Sequence, residues 1–234
     1  MSVAEHLSED EQLESLKKWW RDYGVITIAI ITISVGGYFG SIFYKENKQE
    51  QSETASSKYQ DMMEISLVSP GQKLGATQYG LVENLASELK GSFESSQYAN
   101  YAALLMAKLY VEKNDLDAAI QELNWALDHS DESLGLIVKL RLARVEASRG
   151  NIDLAQSIIS DVNPKTMASA YSEAQGDFHM LKKDTIAAYD SYLLALVQSQ
   201  DHDSPHIGAL KLKLNQVTPL PNQKQDKKLS GEEN

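Results

Sequence analysis

Residues 100–127 read NYAALLMAKLYVEKNDLDAAIQELNWAL, and this stretch decides the fold. Apolar residues recur at three- and four-residue spacing on both sides of a polar break at Lys113-Asn114-Asp115. That pattern predicts two helices joined by a tight turn. Ala107, Ala119 and Ala126 are the small positions, and Tyr110 and Leu123 are the large ones. Where two helices cross closely only Ala or Gly fits, and large side chains of the facing helix fill the remaining gap.

The same layout returns twice downstream, in residues 136–162 (LIVKLRLARVEASRGNIDLAQSIISDV) and 169–196 (SAYSEAQGDFHMLKKDTIAAYDSYLLAL). Their breaks are Arg149-Gly150-Asn151 and Lys183-Asp184. Ala119, Ala155 and Ala188 are separated by 36 and 33 residues, which brackets the tetratricopeptide period of about 34. Ala143, Ala155, Ile159 and Val162 take the pattern positions in the second unit, and Gly176, Ala188, Tyr192 and Ala195 in the third. Glu146 and His179 depart from the pattern, standing where an aromatic is usual. The alternative is an ordinary helical bundle whose alanines fall into register by chance.

Stacked helix pairs leave a concave face lined by the first helix of each repeat. By repeat position that face carries Tyr101, Leu104 and Lys108, then Ile137, Leu140 and Arg144, then Glu173, Asp177 and Met180. Apolar groups mixed with charges of both signs suit the binding of protein segments. The competing reading is that the apolar members pack inside the stack. Beyond the repeats, Ser204-Pro205 signals a helix start, with Ser as N-cap and Pro in the first turn. Ile207, Leu210, Leu214 and Val217 give that helix one apolar face, as a capping helix requires. Residues 219–234 have the composition of a disordered tail.

Toward the N-terminus, Gln78 to Lys90 carries Leu81, Val82, Leu85 and Leu89 at helical spacing and is followed by Gly91 as a stop; Ser69-Pro70-Gly71 marks a turn. Tyr59, Met62, Met63 and Leu67 supply apolar contacts after the polar stretch 45–58, which can continue a preceding helix as a stalk. Val25 to Tyr44 (VITIAIITISVGGYFGSIFY) is twenty residues without a charge. As a helix it is about 30 Å long, the thickness of a bilayer's hydrocarbon core. Trp19, Trp20 and Tyr23 precede it and Phe43 and Tyr44 close it, as aromatic belts do at membrane interfaces. The leader is acidic and no A-x-A-like site follows, so the segment reads as an uncleaved signal-anchor. Lys17, Lys18 and Arg21 before it, against Lys45 and Lys48 after it, bias the N-terminus toward the cytoplasm. Thr32, Gly36 and Gly40 form a small-residue face for packing of membrane helices, unless the glycines are merely those common in spans. Ser8 and Glu11 form a capping box for an amphipathic tail helix ending at Gly24.

The net charge is −11, of which the first 22 residues carry −3 and the part after the apolar run −8. An acidic domain repels phosphate backbones, so nucleic-acid binding is not expected. The absence of Cys excludes disulfides and thiolate metal sites. No H-E-x-x-H, G-x-S-x-G or glycine-rich phosphate motif occurs. Of the histidines His6, His129, His179, His202 and His206, the last two lie four apart, but Pro205 starts a helix between them and prevents a shared face. The chain is therefore expected not to be an enzyme and to need no metal or cofactor.

The acidic tail with Lys17-Lys18-Trp19-Trp20, the span, residues 98–123, the LRLARV segment 140–145 and the closing helix after Ser204-Pro205 together resemble the ancillary SecYEG translocon subunits, the YfgM-like family of Gram-negative bacteria. The resemblance covers roughly residues 8–217. It implies a single-pass inner-membrane protein with a cytoplasmic N-terminus and a periplasmic tetratricopeptide-like domain. It implies association with SecYEG and the periplasmic chaperone PpiD in assisting newly translocated proteins, and a link to envelope stress through the response regulator RcsB at the cytoplasmic tail. A membrane-anchored scaffold for another cell-envelope assembly complex is the alternative. The expected fold class is all-α, an N-terminal transmembrane helix followed by the helical repeat domain. The expected segments are 1–24 (cytoplasmic tail), 25–44 (span), 45–97 (stalk and leading helices), 98–218 (repeats and capping helix) and 219–234 (tail).

Overall fold

The computed structural model describes residues 9–68, 72–199 and 205–218. Ser8 of the capping box, the Ser69-Pro70-Gly71 turn, Ser204, His6, His202 and the tail from residue 219 lie outside the described residues. Among the described residues all regular structure is helical. The helices are α1 (Glu9–Ser66), α2 (Ala76–Ser92), α3 (Gln97–Glu112), α4 (Leu116–His129), α5 (Glu132–Ser148), α6 (Ile152–Ser160), α7 (Ala168–Leu181), α8 (Thr185–Gln198) and α9 (Pro205–Gln216), with a 3-10 turn at Lys165–Met167 before α7. Two compact units are present, Met1–Thr54 and Ala55–Asn234.

The first unit holds most of α1. Its apolar section is long enough to cross a bilayer, and none of the most apolar stretch is buried inside protein. Val25 is 82% exposed and Ile33 74%. The expected stop at Gly24 does not occur: α1 runs through it to Ser66. The Trp20 indole lies over Gly24, where an added Cβ would meet the ring at 3.3 Å. A helix-interior Gly costs only about 1 kcal/mol and does not end a helix unless it takes a left-handed cap. Gly91 is a second such case. It lies inside α2, which closes one residue later with the Phe93 N–H donating to the Leu89 carbonyl at 3.1 Å.

The second unit is a stack of helix pairs: α3/α4, α5/α6 and α7/α8, preceded by α2 and the end of α1 and followed by α9. The three turns within the pairs are the same structure. Asn114, Gly150 and Lys183 each adopt positive φ (61°, 92° and 62°). The next residue's N–H then reaches back five positions: Asp115 to the Tyr110 carbonyl (2.9 Å), Asn151 to Glu146 (3.0 Å) and Asp184 to His179 (3.0 Å). This left-handed cap satisfies orphan carbonyls at the end of the first helix. The same residue then caps the second helix, where Asp115 and Asp184 accept from the backbone N–H three residues on, at 3.1 and 3.0 Å.

The middle turn departs for a reason visible at Glu146. This carboxylate is buried (6% exposed) where the pattern wants an aromatic, and it accepts a 2.7 Å hydrogen bond from the Asn151 side chain. Asn151 therefore makes no side-chain cap. Arg149 stands 3.7 Å from Glu146 and 2.6 Å from Asp117 of α4, tying this turn to the preceding pair. A buried charge is tolerated only with such partners.

The cores run in series along the stack, as expected of a repeat protein whose units bury their apolar faces only on their neighbours. Met62, Val82, Leu89 and Met106 join the end of α1 to α2 and α3. Ala103, Leu123, Val138 and Leu142 join α3, α4 and α5. Leu136, Ile159, Tyr171 and Phe178 join α5, α6 and α7. Tyr192, Ile207, Leu210 and Val217 join α8 to α9. The Tyr171 hydroxyl donates to the Leu136 carbonyl at 2.8 Å in this interior. In the third repeat a Cβ at Gly176 would collide with the Tyr192 ring, so only glycine fits beside that tyrosine.

Candidate functional site

A groove of about 750 Å³ opens between α3 and α5, with the end of α1 as its third wall. Three helix faces build it. Tyr59 and Met63 come from α1. Tyr101, Leu104, Leu105, Lys108, Val111 and Glu112 follow one another at helical spacing along α3. From α5 come Leu134, Ile137, Arg141, Arg144 and Val145. The floor is apolar and closed: Leu104, Ala107, Val145 and Leu123 of α4 are all buried. Met63 and Val111 stay about 40% exposed at the lip (39% and 42%).

The rim is basic. Lys108 lies 3.6 Å from Glu112 in an exposed, weak pair. Arg141 and Arg144 are exposed, and no acid lies within 4.0 Å of either among the described residues. A smaller, more polar recess of about 430 Å³ adjoins the groove and shares Tyr101, Leu134 and Ile137 with it. His129 borders this recess, stacked on Trp125 at 4.0 Å between ring centroids. Its Nδ1 lies 2.7 Å from the Trp125 carbonyl and its Nε2 2.7 Å from Glu94. The Trp125 carbonyl, followed by the Glu94 carboxylate, outweighs burial and raises the imidazole pKa above its ordinary value.

Of the nine residues placed by repeat position on a concave face, the structure brings five together: Tyr101, Leu104, Lys108, Ile137 and Arg144. It separates the other four. Leu140 is 4% exposed and belongs to the Leu136–Ala143–Ala147 stripe that packs toward α6 and α7. Glu173 and Asp177 are bound by α9, whose Lys213 ammonium donates to Glu173 Oε1 (2.8 Å) and to both Asp177 oxygens (2.7 and 2.8 Å). His206 Nε2 stands 3.3 Å from the other Glu173 oxygen. Burial alone would depress the Lys213 pKa, but the bonds to Asp177 and Glu173 prevail and raise it. Met180 is partly exposed near the end of α7 and lines neither recess.

Arg141 was legible and missed: it stands four residues after Ile137 and three before Arg144, the spacing of one helix face. Tyr59 and Met63 were not legible as groove residues, because they come from a helix outside the repeats. On α1, Thr32, Gly36 and Gly40 are exposed, and a Cβ at either glycine would meet nothing within 4 Å. Thr32 donates to the Ile28 carbonyl at 2.9 Å. Among the described residues no group of three or more His, Asp or Glu is placed to hold a metal ion.

Three like helix pairs, a shared turn and an open groove on the first helices define a tetratricopeptide-like repeat protein with an apolar N-terminal helix. Residues 17–219 match the tetratricopeptide repeat-like domain family. The chain is similar to curated proteins named "Ancillary SecYEG translocon subunit". One from Haemophilus influenzae is 30% identical over 191 residues, covering 81% of this chain and 89% of that protein. One from Escherichia coli is 26% identical over 186 residues, covering 79% and 85%. One from Neisseria gonorrhoeae is 24% identical over 217 residues, covering 92% and 100%. The chain belongs to the family of ancillary SecYEG translocon subunits.

Proposed function

We propose that this chain is a non-enzymatic, membrane-anchored adaptor that associates with the SecYEG translocon and assists proteins emerging from it. The observation that carries the reading is the likeness, along most of both chains, to relatives named for that translocon. The exposed apolar section of α1 supports a single inner-membrane span at residues 25–44. The bias of basic residues supports a cytoplasmic N-terminus and a periplasmic repeat domain. Partner segments dock on the repeat domain, chiefly at Tyr101, Leu104, Lys108, Ile137 and Arg144. The Thr32–Gly36–Gly40 face packs against another membrane helix. The finer partners are those the family resemblance implies: PpiD on the periplasmic side and RcsB at the cytoplasmic tail.

Gentle solubilisation of membranes and capture on a C-terminal tag tests this. Recovery of the SecYEG channel with a periplasmic chaperone is expected. Recovery of a different cell-envelope complex without the translocon would overturn the reading and make the chain a scaffold for that complex.

A further inference from the structure

In the third repeat the acids of the first helix, Glu173 and Asp177, are paired with Lys213 of α9, and His206 of the same helix stands 3.3 Å from Glu173. Among the described residues the first two repeats have no such cover. There the charge on the open face is left to Lys108, Arg141 and Arg144 against the single acid Glu112. This basic rim stands on a chain whose 33 acids outnumber its 22 lysines and arginines. Arg141 and Arg144 lie three apart on one face of α5, directly above the apolar floor.

We infer that this groove selects acidic amphipathic protein segments: a short stretch with apolar side chains on one side and two or more Asp or Glu beside them. The inference rests on the adaptor reading and names the chemistry of what the adaptor holds. The apolar side fits the concave floor of Leu104, Leu123 and Val145, whose side chains are buried. Guanidinium groups with no acid within 4.0 Å among the described residues can give bidentate bonds to a partner's carboxylates, and lysine ammonium adds a point charge. A concave groove with its floor below the rim favours a protruding helix or strand over a flat lipid surface. Basic segments with the same apolar pattern are rejected by like charge.

The test uses the full-length chain in phosphatidylcholine nanodiscs, with empty nanodiscs as control. The probes are two fluorescein-labelled 15-residue peptides with the same leucine positions, one carrying glutamates and the other lysines in the remaining places. The acidic peptide is expected to bind at least about tenfold more tightly, with affinity falling as salt rises. The double variant R141E/R144E is expected to lose that preference or reverse it. R141K/R144K, which keeps both charges but loses the planar fork, should keep the preference for the acidic peptide while binding it more weakly than the unaltered protein. Both side chains are exposed, and an unchanged circular dichroism spectrum will show that the variants fold.

Equal binding of the two peptides, or preference for the basic one, would overturn the inference. So would capture of phosphatidylglycerol vesicles without binding of the acidic peptide, which would assign the site to a lipid. If SecYEG co-purifies while the acidic peptide fails to bind, the inference alone falls. If SecYEG does not co-purify, the adaptor reading falls.

Discussion

The first helices of repeats one and three occupy the same place in the repeat yet present opposite surfaces. On α3 the side lining the open groove carries Tyr101, the buried Leu104 and the exposed Lys108. On α7 the corresponding face carries Glu173 and Asp177 and is held by Lys213 from α9. The repeat register places these residues at like positions, while the neighbouring element decides whether the side is free. In the middle of the stack the neighbour is another repeat. At its end it is α9, whose apolar side covers Tyr192 and Ala195 and whose Lys213 reaches across to α7.

The comparison extends into the core. The small and large partners are Ala107 with Leu123 in repeat one and Gly176 with Tyr192 in repeat three, so bulk added on one helix is removed from the other. Gly176→Ala should therefore break repeat three, destabilising the protein by about 2–3 kcal/mol in urea unfolding, the usual cost of overpacking. Adding Tyr192→Leu should recover much of that loss, because it restores the pairing of repeat one. If the double variant is no more stable than Gly176→Ala alone, the pairing argument fails.

A smaller effect is expected where the covered face is uncovered. Lys213→Met removes the ammonium but keeps the length of the stem, leaving Glu173 buried (side chain 7% exposed) with His206 Nε2, 3.3 Å away, as its remaining partner from α9. Loss of one member of such a cluster should cost about 1–2 kcal/mol, at the low end because Lys213 and Asp177 are each about a third exposed (34%) and water can replace part of the interaction. Thermal unfolding measures the change, and an unaltered midpoint would show that the clamp contributes nothing.

The smallest effect lies beside the open face. His129 has its folded pKa raised by the Trp125 carbonyl and then Glu94. Its protonated form is favoured by folding, so its contribution is fully present below the ordinary imidazole value of about 6.5 and fades as pH rises through the raised value. The stability difference between the unaltered protein and His129→Gln should accordingly shrink from about pH 5.5 to about pH 8.5 in paired urea titrations. A difference that is constant across that range would refute the assignment.

Much of the repeat fold was legible because its signals are local. The 36- and 33-residue spacing of Ala119, Ala155 and Ala188 located the helix pairs, and the polar breaks located turns that all proved to be one left-handed cap. Glycine misled twice. Gly24 and Gly91 looked like stops, but a glycine ends a helix only when the backbone there turns left-handed, and these two remain helical while Gly150 does turn. Glu146 looked like a flaw in the repeat, and Asn151 and Arg149 supply the partners that make it tolerable.

By itself the sequence determined the helices, their pairing and the apolar N-terminal run. These follow from periodicity and residue size, which act between positions a few residues apart. Tertiary structure alone decided where a groove exists. Tyr59 enters it from outside the repeats, Leu140 leaves it for the stripe packed toward α6 and α7, and Glu173 and Asp177 are claimed by Lys213 some 40 and 36 residues away. Whether a side chain on an outward face meets solvent, a neighbour or a partner depends on the placement of distant elements, and no local pattern encodes that.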